Sequence, residues 1–185
     1  MTQTITQPAS QLESLRYPVG RFQPPAENGV AERATYIETL RRLPDQLKAA
    51  IAGLDDAQLD TPYRDGGWTV RQLVHHVADS HANAYVRVKL ALTEDWPPIK
   101  PYEEAEWAKL ADSQLPVSVS LDLLTALHTR WVALLESLGE AEFNRGYVHP
   151  AMGKRQALGE VIALYSWHSL HHTAHITELR HRMGW

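Results

Sequence analysis

The chain has 185 residues, with 22 acidic and 18 basic side chains, ten histidines and no cysteine. The length suits one domain whose core needs no disulfide or metal staple, and a net charge of -4 argues against a nucleic-acid partner. The lack of cysteine excludes disulfides, thiolate zinc sites, iron–sulfur clusters and a cysteine nucleophile.

The N-terminal stretch has neither a basic start nor an apolar core of signal-peptide length, and no run approaches ~18 apolar residues. A cytoplasmic protein without a membrane segment is expected. Residues 1–16 read as a flexible tail ahead of one domain, 17–185. Residues 17–28 hold three prolines and a glycine and should be extended, with Tyr17, Val19 and Phe22 packing across the domain surface.

A first helix is predicted over 29–53, because Ile37, Leu40, Leu47, Ile51 and Leu54 recur at helical spacing. Pro44 inside it should kink or split it. Thr69 and Gln72 form a capping-box pattern, flanked by the hydrophobic staple pair Trp68 and Leu73. They start a second helix over 70–93 that turns Val70, Leu73, Val74, Val77, Ala84, Val88 and Ala91 inward.

Four prolines between 97 and 116 mark a long connection, with a short helix inside it. Its Trp96, Tyr102 and Trp107 suit an interface or a pocket lid. Ser118 or Ser120 can cap a third helix, to 138, burying Leu121, Leu124, Trp131 and Leu135. Residues 139–155 read as a connection, and a fourth helix runs over 156–183 with Gly184 beyond its end. Four amphipathic helices without strand alternation predict an all-α four-helix bundle, with an extended N-terminal segment and a long connection between the second and third helices.

A helix advances ~100° per residue, so each histidine can be placed against the apolar stripe. On the fourth helix His172 falls at the stripe's centre, with His168 about 60° and His175 about 80° away. His171 lies further round, and His181 points to solvent. On the second helix His75 points outward, His76 lies on the edge in a polar row with Ser80, Asn83 and Arg87, and His81 faces inward more directly than His76. His128 borders the apolar face of the third helix, and His149 reads as a loop residue.

Imidazoles buried among aliphatic side chains need partners for their nitrogens, and a divalent metal held by an i, i+4 pair plus a histidine from a facing helix supplies one. Packing, or hydrogen bonding to the residues that hold the metal, is the plainer reading of His81 and His128. The zinc-protease pattern is absent, because Ser169 follows His168 where a glutamate would stand. No nucleophile-elbow serine and no phosphate-cradling glycine loop is present.

The run DTPYRDGGWTVRQLVHHVADSH (60–81) and the C-terminal WHSLHHTAHITELRHRMGW (167–185) closely resemble the YfiT-like members of the DinB superfamily. So do KLALTE (89–94), PIKPY (98–102), DSQ (112–114), HTRW (128–131) and RGYVHP (145–150), over residues 17–185 in all. The resemblance implies a four-helix bundle, a homodimer, and one divalent metal per chain, zinc or nickel, on three histidines matching His76, His168 and His172. It thereby favours His76 over His81. It implies a metal-dependent hydrolase that activates water. The alternatives are a thiol S-transferase of the bacillithiol type and a non-catalytic metal-binding bundle closed by a fourth ligand such as His81 or His128.

With no cysteine in the chain, any thiol must arrive with a small-molecule substrate. His175 and His128 are oriented to shuttle protons or to support the ligands. Arg87, on the row of His76, is the candidate for a substrate carboxylate, against a plain surface arginine.

Overall fold

A computed structural model describes residues 9–185 and carries the four long helices in the predicted order. In chain order the helices are α1 (Ala9–Arg16), α2 (Val30–Ile51), α3 (Asp56–Leu59), α4 (Val70–Thr93), α5 (Glu104–Trp107), α6 (Val117–Glu136), α7 (Glu140–Phe143) and α8 (Leu158–Met183). Two strands, β1 (Gly146–His149) and β2 (Lys154–Ala157), pair antiparallel between α7 and α8, with Gly146 opposite Ala157 and His149 opposite Lys154. None of the described helices is long and apolar enough to cross a membrane.

The start of α4 follows its sequence signal. The Gln72 backbone N–H donates to Thr69 Oγ1 at 3.1 Å, and the Thr69 N–H donates to Gln72 Oε1 at 3.0 Å. All seven residues assigned to the inward face of α4 are buried. At the far end of the chain Gly184 takes φ 71°, so that its N–H and that of Trp185 close the last turn of α8.

α2 and α4 each pack against both α6 and α8. The core falls into two apolar clusters. One takes Ile37 and Leu40 of α2, Ala84 to Ala91 of α4, Trp131 to Leu135 of α6 and Leu158 to Tyr165 of α8. The other takes Leu43 to Ile51, Val70 to Ala78, Leu121 and Leu124, and Ile176 and Leu179. It follows that α2 and α8 run in one direction and α4 and α6 in the other. Parallel neighbours need a connection that travels the length of the bundle, which is the work of residues 94–116. Between the clusters lies a polar layer, with His81 from α4, His128 from α6, and His168 and His172 from α8.

Several expectations are corrected. The predicted tail contains α1, whose Leu15 is buried; residues 1–8 lie outside the described residues. Pro44 does not split α2, which is one continuous helix with Pro44 buried inside it. Neither Ser118 nor Ser120 caps α6; Pro116 occupies the N-cap, and Ser120 is buried within the helix. The 139–155 segment is not a plain loop, because it holds α7 and the β1–β2 hairpin, with His149 on β1. Phe22 packs on Trp167 with ring centroids 5.9 Å apart, as the extended segment was expected to do, whereas Val19 stays exposed.

Candidate metal centre

His76, His168 and His172 present ring nitrogens that all lie within 4.8 Å of one another. His168 and His172 come from successive turns of α8 and His76 from the facing α4, so a single point between two helices is reached from both sides. His168 Nε2 and His172 Nε2 stand 3.1 Å apart. Two nitrogens on one tetrahedral zinc, each at about 2.05 Å, would be about 3.3 Å apart. The pair is therefore spaced for a shared ion without rebuilding the helix. His76 is held from its other side by Trp68, 4.4 Å away between ring centroids. No fourth histidine or carboxylate joins this group among the described residues.

Each α8 ligand candidate is engaged at its second nitrogen. His168 Nδ1 lies 3.1 Å from His81 Nε2, and His81 Nδ1 lies 3.0 Å from His128 Nε2. His128 Nδ1–H donates to the Leu40 carbonyl at 2.6 Å. On the other side His172 Nδ1 lies 3.4 Å from His175 Nδ1, and His175 Nε2–H donates to the Arg16 carbonyl at 3.2 Å. Secondary partners of this kind fix ring orientation in metal sites.

Burial keeps all these imidazoles neutral. It lowers the pKa of His76 and His128 to about 4 and of His175 to about 3, and holds His81, His168 and His172 well below the ordinary histidine value. Neutral imidazole is the ligating form.

A second group, His171, His172 and His175, also gathers ring nitrogens within 4.8 Å of one another. It is the poorer donor set. Both nitrogens of His175 are already engaged, and His172 turns its Nδ1 towards His175. His171 stacks on Trp167 at 4.3 Å and 20°.

The structure brings His76, His168 and His172 together as the resemblance implied. It seats His81 among the supports, because neither His81 nitrogen is left to close a metal's coordination sphere. His128 and His175 likewise have both nitrogens engaged, which suits a supporting role. His75 does not point outward. It is buried, with Nδ1 2.7 Å from Ser120 Oγ and Nε2–H donating to the Leu115 carbonyl at 3.0 Å. His171, also expected further round, is buried as well, and His181 is exposed as predicted.

Arg87 is not a surface arginine. It is 8% exposed, donates from Nη2 to the Lys100 carbonyl at 3.1 Å, and has no carboxylate within salt-bridge distance among the described residues. Its neighbours are Tyr102, with the guanidinium carbon 5.9 Å from the ring centroid, and Tyr165, whose hydroxyl lies within reach of its charge. The Tyr165 ring is in turn 5.5 Å from that of His168. Burial raises the pKa of both tyrosines, so both hydroxyls keep their protons. Tyr102 and Trp107 of the long connection pack on each other at 4.4 Å.

Two residues that support the site were not legible as such: Leu40 and Arg16 contribute through backbone carbonyls. Sequence holds one signal for the first of them. Pro44, four residues after Leu40, has no N–H to occupy that carbonyl.

The comparisons agree with this architecture. The chain is 52% identical over 177 residues to a protein of Geobacillus thermodenitrificans named "Putative metal-dependent hydrolase", covering 95% of this chain and 99% of that one. It is 53% identical over 177 residues to a Bacillus cereus protein of the same name, covering 94% and 100%. Among solved structures it superposes with a TM-score of 0.91 and 50% identity on YfiT from Bacillus subtilis, over 93% of this chain and 99% of that one. That protein is described as a probable metal-dependent hydrolase with an unusual four-helix bundle topology. The pattern of the DinB superfamily matches residues 39–176, across α4, α6 and most of α8, and the chain belongs to that superfamily.

Proposed function

We propose that the chain is a metal-dependent hydrolase whose ion is held by His76, His168 and His172. The observation that carries this reading is the 3.1 Å approach of His168 Nε2 and His172 Nε2, with both Nδ1 atoms turned to other partners and His76 opposite. The names of its relatives point the same way. Three neutral ligands leave a divalent ion its full charge; when bound, it supplies Lewis acidity and brings water's pKa towards about 7. Zinc is the first expectation and nickel the second, since imidazole suits both.

The chain's own residues supply orientation. Arg87 is buried without an ion pair among the described residues, and Tyr165, within reach of its charge, lies against the ring of His168. It is placed to take a substrate carboxylate, and the protonated hydroxyls of Tyr102 and Tyr165 can donate beside it. The substrate class is therefore a small ester or amide that carries an anionic group.

Two measurements test the reading. Protein purified without affinity metal should contain about one equivalent of zinc or nickel per chain by elemental analysis; less than about a tenth would sink it. The metal-loaded protein should then hydrolyse carboxylate-bearing esters or amides faster than uncharged analogues. Conjugation of bacillithiol to monochlorobimane, without hydrolysis, would transfer the same site to the S-transferase reading.

A further inference from the structure

We propose that two buried imidazole chains, each tied to a backbone carbonyl, dictate which nitrogen of His168 and His172 carries the proton, which makes His81, His128 and His175 positioning residues for the metal ligands. The proposal rests on the metal-site reading above. Its logic is directional. A carbonyl oxygen only accepts, and a neutral imidazole has one N–H and one lone pair.

The first chain starts at Leu40. Its carbonyl accepts from His128 Nδ1–H at 2.6 Å, so His128 Nε2 is an acceptor. His81 Nδ1–H must therefore donate to it at 3.0 Å, which leaves His81 Nε2 to accept from His168 Nδ1–H at 3.1 Å. His168 Nε2 ends the chain with a bare lone pair. The second chain starts at Arg16. Its carbonyl accepts from His175 Nε2–H at 3.2 Å, so His175 Nδ1 accepts from His172 Nδ1–H over a longer 3.4 Å. His172 Nε2 is bare as well. Both chains deliver a lone pair to the one gap, where the two Nε2 atoms face each other at 3.1 Å with no proton between them. That contact is repulsive until a cation sits in it.

The logic holds for neutral rings, the form that burial favours, and His81, His128, His172 and His175 are all buried. Both anchors are carbonyls that the helices leave free. Leu40 lies inside α2, where its carbonyl would normally accept from the N–H four residues on; that residue is Pro44. Arg16 is the last residue of α1, beyond which no helical donor follows. The proline that reads in the sequence as a kink thus provides the acceptor from which the proton order of three histidines is set. Without the chains, the proton could sit on Nε2 and block ligation.

The test uses the full chain with 15N-labelled histidine, metal-free at pH 7.5, and long-range proton–nitrogen correlation spectra. His168 and His172 should both carry the proton on Nδ1 before any metal is added; a proton on Nε2 of His168 overturns the proposal. Zinc affinity is then measured by competition with a chelator. His81→Leu and His128→Leu should weaken binding ~10–100-fold. His81→Gln, whose amide oxygen can stand in for Nε2 as the acceptor, should recover to within ~3-fold of the parent.

Unchanged zinc affinity in both leucine variants overturns the proposal. Should those variants not fold, the parent spectrum and Pro44→Ala decide. The alanine restores an N–H that competes for the Leu40 carbonyl, and it should release the Nδ1 proton signal of His128 from its hydrogen-bonded position; an unmoved signal counts against the anchor. If the parent shows both Nδ1 protons yet binds no zinc, the metal-site reading has failed and the proton order has not.

Discussion

His75 and His76 are neighbours about 100° apart on α4, and that angle separates two kinds of work. His76 turns towards α8 and its paired histidines, whereas His75 turns towards α6 and holds Ser120 and the Leu115 carbonyl. His75→Ala should therefore lower stability by about 1–3 kcal/mol, because it leaves buried partners unsatisfied, while zinc content stays near one equivalent. His76→Ala, His168→Ala and His172→Ala should each lose tight metal binding, and His181→Ala should change neither quantity. Thermal unfolding and elemental analysis on the five variants separate the effects; a zinc-free but fully stable His75→Ala would exchange the assigned roles. The i, i+4 pair on α8 was legible from spacing alone. The burial of His75 was not, because the residues that cover it lie 40 and 45 positions away. Helical periodicity reports one helix's own stripe and nothing of what a later segment lays across its back.

At the scale of elements, the legible parts are those whose signals are local. The capping box of α4 sits within four residues, and Thr69→Ala should cost about 1 kcal/mol, read as a drop in the chemical-denaturation midpoint with an unchanged slope. The β1–β2 hairpin is the opposite case. Its strands have four residues each and carry no apolar alternation, so no period is long enough to detect. What marks it in the structure is close approach. A Cβ on Gly146 would stand 2.1 Å from the Gln156 carbonyl oxygen and 2.7 Å from the Trp96 ring. Gly146→Ala should thus force β1 off β2 and destabilise the fold by more than about 2 kcal/mol, with earlier amide exchange at Tyr147 and Gln156 than in the bundle. Tolerance of that alanine with unchanged exchange would mean that the hairpin does not pack as described. The parallel course of α4 and α6 is intermediate: the long connection announced that a crossover was possible, but only the sharing of apolar clusters shows that it is taken.

Across the whole molecule, the histidine layer between the two apolar clusters makes stability depend on pH. The unfolded chain takes up protons on these histidines near pH ~6.5. The folded chain resists until much lower pH, since burial holds His76, His128 and His171 near about 4 and His175 near about 3, with His81, His168 and His172 also well below their ordinary value. Above ~6.5 the groups are neutral in both states and add no slope. Below it the unfolded state binds more protons, so stability falls as pH falls, by at most about 1.4 kcal/mol per pH unit for each histidine.

Even half of that slope from these seven groups would exhaust a typical ~5–15 kcal/mol of stability within about three pH units. The metal-free chain should accordingly unfold in acid with a midpoint between pH ~4 and ~5.5, read by circular dichroism, and hold a constant melting temperature from pH ~7 to ~9, below the ionisation of tyrosine. Zinc binds only the neutral imidazoles of the folded state, so saturating zinc should raise stability by about 4 kcal/mol at a thousandfold excess over its dissociation constant and move the acid midpoint down. A metal-free chain as stable at pH 4 as at pH 7 would show that the layer is open to water. The same titration with zinc present then tells whether the lone pairs of the layer have the ion they face.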